Sequence, residues 1–187
     1  MKHLFITILL CLSCLVISAD GHTLPEDFDV QGHRGARGLK PENTLPAFEV
    51  ALDLGVTTLE LDMHYTADNR VVIWHDDAIK REFCRLPEGV ELDLPESDSL
   101  IFGSNPLSIR KLTLEQIQSF HCDAVQSGAY RMQDNDPTLL AGDDYRIPTL
   151  TDVFDFVDRY AVSDLKTSEQ RENAAQVRFN IESKRKA

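Results

Sequence analysis

Three polar clusters fall at the ends of strand-like apolar runs: His33-Arg34, the pair Glu60 and Asp62, and His75-Asp76. A further carboxylate, Glu182, and a cation, Lys184, close a fourth run. Glu60 and Asp62 stand two apart, so on a strand both side chains share one face. Adjacent carboxylates repel, and a hard divalent cation with oxygen ligands resolves that conflict; Glu182 supplies a third carboxylate from another strand end. His33 and His75 are of the type that moves protons near neutral pH. Each group alone has an ordinary reading: a solvated sheet face, a satisfied core histidine, a salt-bridge arginine, a surface lysine. The combination carries the weight, because several strand ends each present reactive groups beside apolar neighbours. His22, His64 and His121 lack such company and read as ordinary histidines.

The elements that must position these groups follow from the surrounding pattern. Residues 28–32 (FDVQG) form a short strand candidate ending at glycine. Thr44 can cap a helix over 45–54, with Leu45, Phe48 and Leu52 on one face and Gly55 as its stop. Residues 57–63 (TTLELDM) alternate like a strand, 68–70 form a turn, and 71–75 (VVIWH) make the next strand. Strand, helix, strand predicts an α/β fold. In a parallel α/β barrel the C-terminal strand ends converge on one mouth, where active sites sit.

The stretch 76–146 is rich in Pro, Gly, Asp and Ser and too long for an ordinary connection, so it is expected to be an insertion or lid. It holds one helix candidate, opened by a Thr113/Gln116 capping box with Leu114, Ile117 and Phe120 behind it. An amphipathic helix follows, with a Thr149/Asp152 box and Leu150, Val153, Phe154 and Val157 in period. A polar segment at 163–176 leads to a last strand at 177–181.

A length of 187 residues gives one domain, and 42% hydrophobic with 27% charged residues excludes wholesale disorder. A net charge of −12 argues against binding a nucleic-acid backbone or an anionic bilayer through a basic face. Residues 1–19 read as a secretory signal: Lys2 and His3, then an apolar run at 4–17, then Ile-Ser-Ala. That run is shorter than the roughly 20 residues of a membrane-spanning helix, and lipoprotein anchoring at Cys14 is the weaker alternative. The expected location is exported, periplasmic or secreted, with no stable membrane insertion after signal removal. Cleavage leaves Cys84 and Cys122, either as a disulfide or as two buried free thiols.

The run HRGARGLKPENT at 33–44, followed by Glu60-Leu61-Asp62, His75-Asp76, IPTL at 147–150 and FNIESK at 179–184, resembles the glycerophosphodiester phosphodiesterases. The related phospholipases C and sphingomyelinases D share the barrel idea, but the PENT segment and the Glu-Lys strand look like the phosphodiesterase branch. The resemblance implies a (β/α)8 TIM-barrel type fold over 28–187, present as an incomplete N-terminal portion. It also places an insertion at about 77–146, between the second and third barrel strands. It implies hydrolysis of glycerophosphodiesters to an alcohol and sn-glycerol 3-phosphate with one divalent cation, Ca²⁺ or Mg²⁺. By position His33 and His75 resemble the acid–base pair, and Glu60, Asp62 and Glu182 the metal ligands. Arg34 and Lys184 match cations that meet the phosphate, while Glu42 and Asn43 support the His33-Arg34 loop. The expected partner is a small-molecule diester and not a nucleic acid. With about three barrel strands accounted for, a fragment of a longer enzyme is expected. Two other readings stand beside it: an inactive surface-binding relic, and a phospholipase C- or D-like enzyme acting on intact lipid. The last would use Leu92, Leu94, Leu100, Ile101 and Phe102, which acids intersperse.

Overall fold

A computed structural model describes residues 25, 28–93 and 105–184. The expected signal segment, with Cys14, and the apolar positions Leu94, Leu100, Ile101 and Phe102 lie outside the described residues.

Four strands form one sheet among the described residues: β1 (Gln31–Gly32), β2 (Thr58–Tyr65), β3 (Val71–Ile73) and β4 (Arg178–Ser183). β2 is the centre. It pairs parallel with β1 at Thr58 and Leu59, and antiparallel with β3 from Met63 to Tyr65. It also pairs parallel with β4 along Thr58 to Met63. Thr58 meets both β1 and β4, and Met63 both β3 and β4, so β1 and β3 share one edge and β4 takes the other. The parallel partners therefore end at the same side as β2, which is the side holding the polar clusters.

The pleat divides β2 cleanly. Leu59 and Leu61 point into an apolar core with α1 (Leu45–Asp53) and α3 (Leu150–Ala161), while Glu60, Asp62 and His64 share the other face. Thr44 caps α1 by accepting from the Ala47 N–H, and Gly55, at φ 75°, ends it in a left-handed conformation. α1 buries Phe48 and Leu52 completely, worth about 1.5–3 kcal/mol each. α3 opens with the expected Thr149/Asp152 box. Its core face is Val153, Phe156, Val157 and Tyr160, at helical spacing.

Several expectations need correction. Phe154, placed in the core by its period, is 37% exposed and packs edge-on against Phe179 with ring centroids 4.8 Å apart. Phe156 and Tyr160 take its place because they continue the stripe begun by Val153 and Val157. The polar segment 163–176 contains a helix, α4 (Ser168–Ala174), whose Thr167/Gln170 capping box substitutes for apolar periodicity. Strand bounds also shift, since β1 is only Gln31–Gly32, β3 stops at Ile73, and β2 and β4 run on to Tyr65 and Ser183.

Residues between β3 and α3 build a second apolar cluster from Ile79, Leu107, Ile109, Leu112, Ile117 and Phe120, closed against Val72 and Trp74. It includes the short α2 (Leu114–Gln118), opened by the Thr113/Gln116 box. Cys84 and Cys122 are disulfide-bonded within it, which decides between the bonded and free-thiol alternatives. The segment returns beside β3, where the Ile73 N–H donates to the Pro148 carbonyl at 2.8 Å.

One buried ion pair fastens three parts of the chain together. Lys166 Nζ lies 2.6 Å from Glu49 Oε1 on α1 and 2.7 Å from Asp53 Oδ1. Glu49 also accepts from the Leu140 and Ala141 N–H groups. Burial opposes ionisation of Glu49, but the bonds from Lys166, Thr138 and those two amides outweigh it and hold the carboxyl below its ordinary value. Glu49 thus binds its proton more weakly folded than unfolded. Its contribution is complete above the unfolded value of 4.5 and is lost as pH falls through the lower folded value. Lys166→Met should destabilise the fold by about 3–5 kcal/mol, since it leaves a buried charge without its partner. In urea titrations from pH 3 to 7, Glu49→Gln should flatten the acid limb of stability relative to wild type.

Candidate active site

The first polar loop is shaped by backbone that few residues tolerate. Gly35 has φ 76°, and a Cβ there would come within 2.7 Å of the Ala47 backbone, so the loop can lie flat on α1 only with glycine. Arg34 and Asn43 are also left-handed, at φ 53° and 57°, and the Asn43 N–H donates to the Arg34 carbonyl at 3.0 Å. This closure turns Arg34, Glu42 and Asn43 toward β2. The Arg34 N–H donates to Glu60 Oε2 at 2.8 Å.

Asp62 sits at the centre and is 1% exposed. Its Oδ2 accepts from Asn43 Nδ2 at 3.0 Å and faces Arg34 Nε at 3.3 Å, while Lys184 Nζ lies 3.0 Å from its Oδ1. Lys184 also reaches Glu182 Oε1 at 2.7 Å; burial opposes its charge, but the two carboxylates prevail and raise its pKa. Glu42 is held from both sides, by Arg34 Nη1 at 2.8 Å and Arg37 Nη2 at 3.2 Å. One carboxylate oxygen from each of Glu60, Asp62 and Glu182 lies within 4.8 Å of the others. An all-oxygen set of three carboxylates, two of them buried, is what a hard divalent cation takes, so the residues fit such an ion.

The histidines flank this cluster. His33 Nε2 stands 3.9 Å from Glu60 Oε2, and its Nδ1 faces Arg37 Nη1 at 3.5 Å. The Trp74 N–H donates to the Asp62 carbonyl at 2.9 Å, which sets His75 beside the same strand end. His75 Nδ1 pairs with Asp76 Oδ1 at 3.2 Å. Burial opposes ionisation of Asp76, but Lys80 and His75 outweigh it and lower its pKa. Among the described residues the His75 ring makes no hydrogen bond or ion pair to the three carboxylates.

The structure thus gathers His33, Arg34, Glu42, Asn43, Glu60, Asp62, Glu182 and Lys184 into one contact network, with His75 at its margin. Three further participants were not foreseen. Arg37 clamps Glu42 and faces His33. His64, given an ordinary role, is buried on the face of Asp62 and lies 3.3 Å from the His75 carbonyl; burial lowers its pKa. Its spacing of two from Asp62 was the available signal. Gln133, from the segment before α3, donates to the Arg37 and Lys40 carbonyls at 2.7 and 3.1 Å. Lys40 in turn binds Asp134 and, at 2.8 Å, the Asp136 carbonyl, so that segment straps down the loop.

Asp62 and Glu182 should separate in stability measurements without added metal. Asp62→Asn removes the charge shared by Arg34 and Lys184 and should cost about 1–3 kcal/mol in urea unfolding. Glu182, with its side chain 59% exposed, should tolerate Gln within about 0.5 kcal/mol.

The model of the glycerophosphoryl diester phosphodiesterase family matches residues 33–187. A human lysophospholipase D is 32% identical over 123 residues, 66% of this chain and 31% of the human protein. A glycerophosphodiester phosphodiesterase of Bacillus altitudinis is 47% identical over 49 residues, 26% of this chain and 20% of that protein. Among solved structures, a Silicibacter pomeroyi protein assigned as a glycerophosphoryl diester phosphodiesterase superposes with a TM-score of 0.57 at 23% identity. It covers 84% of this chain and 45% of its own. An Oleispira antarctica phosphodiesterase, solved with the product sn-glycerol 3-phosphate, gives 0.50 at 22% identity over 84% and 44%. The chain spans less than half the length of each of these relatives. The structural likenesses show the fold, a TIM-barrel type to which the parallel strands and their helices contribute a part. Since the family match runs from His33 through the last carboxylate cluster residues, the chain belongs to the glycerophosphoryl diester phosphodiesterase family.

Proposed function

We propose that this chain carries the reacting groups of an exported, metal-dependent enzyme that hydrolyses glycerophosphodiesters to an alcohol and sn-glycerol 3-phosphate. The observation that carries the reading is the convergence on Asp62. Two cations, three carboxylates and a histidine from three separate stretches meet there, with a second histidine at the same strand end. Glu60, Asp62 and Glu182 would hold one divalent cation, Ca²⁺ or Mg²⁺, which when bound adds positive charge opposite a phosphoryl oxygen. Arg34 and Lys184 stand where they stabilise negative charge building on the phosphate. Glu42 and Asn43 fix Arg34 and Asp62, so these charges are oriented before substrate arrives.

Proton transfer falls to His33 and His75. Each has its Nδ1 engaged, by Arg37 in one case and Asp76 in the other, which leaves Nε2 as the working nitrogen of both rings. One imidazole takes a proton from the nucleophile and the other returns one to the leaving alkoxide. Export is supported by the apolar segment at 4–17 and by the Cys84–Cys122 disulfide, which persists in oxidising compartments.

The human relative, named a lysophospholipase D, favours a second reading in which the diester still carries one acyl chain. No helix of the described residues is long and apolar enough to cross a membrane. Rates on glycerophosphocholine and lysophosphatidylcholine, followed by release of choline, decide between the two.

In the full-length protein, chelator should abolish release of sn-glycerol 3-phosphate from glycerophosphocholine. His33→Ala and His75→Ala should lower turnover by roughly 10²–10⁴ while metal binding by calorimetry stays near wild type. Glu60→Ala and Asp62→Ala should weaken metal binding, with partial rescue of rate by excess metal. Loss of metal affinity in His75→Ala as severe as in Asp62→Ala would make His75 a ligand and overturn its role as proton carrier.

A further inference from the structure

A cavity of about 440 Å³ opens beyond Lys184, at the C-terminal ends of β2 and β4. Met63, His64, Tyr65, Ser183 and Lys184 line it from the strands, and Arg110 lines it from the segment before α3. Among the described residues no carboxylate lines it, although the whole chain carries a net charge of −12. Two of its six lining residues are cations, two carry hydroxyls, and one is an imidazole. This is the composition of a site for an anion.

The two cations differ in their commitments. Lys184 is engaged by Asp62 and Glu182. The Arg110 side chain has no hydrogen bond or ion pair among the described residues, yet its backbone is held in place. It belongs to a 3₁₀ turn at Ile109–Lys111, whose Ile109 is fully buried in the second core and whose Ile109 N–H donates to the Asp77 carbonyl at 2.9 Å. Leu112, also buried, accepts from the Ala67 N–H just past β2 at 2.8 Å. The backbone on both sides of Arg110 is therefore anchored, and its exposed side chain lines the cavity without a partner among the described residues. A planar fork of this kind binds phosphate or carboxylate in bidentate fashion.

We propose that this cavity receives the alcohol arm of the diester, and that Arg110 selects alcohols bearing an anionic group over those bearing a quaternary ammonium. The proposal rests on the diester-hydrolase reading of the adjoining site. Lys184 belongs to both, so a diester whose phosphate lies against Lys184 extends one arm into the cavity. The glycerol arm has no charge to offer Arg110, whereas a phosphorylated or carboxylated alcohol does. A choline arm would meet like charge there.

The test compares kcat/KM of the full-length protein on glycerophosphoinositol phosphate, glycerophosphoglycerol and glycerophosphocholine, for wild type, Arg110→Lys, Arg110→Gln and Arg110→Glu. Wild type should prefer the anionic arm. Arg110→Gln should cut that preference over choline about three- to tenfold, Arg110→Lys should keep part of it, and Arg110→Glu should reverse it. A uniform loss on all three substrates would place Arg110 on the scissile phosphate and overturn the proposal, as would no change. Calorimetry with inositol phosphate against choline gives a readout that needs no turnover. Arg110-dependent binding of inositol phosphate without hydrolysis of any diester would sink the enzymatic reading and leave the cavity's anion site standing; hydrolysis without Arg110-dependent selectivity would do the opposite.

Discussion

Asp62 presents a carboxylate at 1% exposure to Asn43, Arg34 and Lys184, groups that reach it from two different loops. An ionised carboxylate in that position is costly unless it is paired and hydrogen-bonded. The surrounding structure satisfies it with Arg34 and Lys184, the same cations to which the proposed function gives the phosphate. The left-handed backbone at Arg34 and Asn43, the close approach of Gly35 to α1, and the run of β4 alongside β2 all serve to bring donors to this one acceptor. Glu60 shares the strand face and is held by the Arg34 N–H, so the acids stay close despite their repulsion.

Support for this centre is layered outward. Glu42 is gripped by Arg34 and Arg37, and Arg37 lies 5.0 Å over the Tyr130 ring. Gln133, 96 residues beyond Arg37, ties the loop's carbonyls to the long segment that leaves after β3. That segment has its own core and disulfide, and it also supplies Arg110 to the cavity beside Lys184. It is therefore both a brace for the loop that carries His33 and Arg34 and a wall of the cavity proposed to receive the substrate's alcohol arm. The buried Lys166–Glu49 pair works at the other side of α1, joining α1 to Leu140 and to the approach to α4.

What could be read from the chain depended on the range of the interaction. The shared face of Glu60 and Asp62 follows from a period of two, and the capping boxes at Thr113 and Thr149 follow from a spacing of three, so both were legible. α4 was not, because Ser168–Ala174 has one buried residue and its box at Thr167 stood without an apolar stripe. Phe154 misled because an aromatic at helical spacing can cover a strand edge, as it does on Phe179, as well as fill a core. The Arg37–Glu42 clamp depends on two left-handed residues folding the loop back, and the Gln133 strap joins distant stretches. Neither has a local signature. The pairing of Cys84 with Cys122 likewise became definite only when the second core brought them together.

In the proposed function Asp62 and its neighbouring acids are the seat of a single hard cation, with the imidazoles kept free for protons. Anomalous diffraction from crystals of the full-length protein soaked in Mn²⁺ would test this most directly. One peak is expected, within about 2.0–2.6 Å of oxygens from Glu60, Asp62 and Glu182, with no imidazole nitrogen in its coordination sphere. A peak ligated by His33 or His75, or one that leaves Asp62 bound only to Arg34, Asn43 and Lys184, would contradict it.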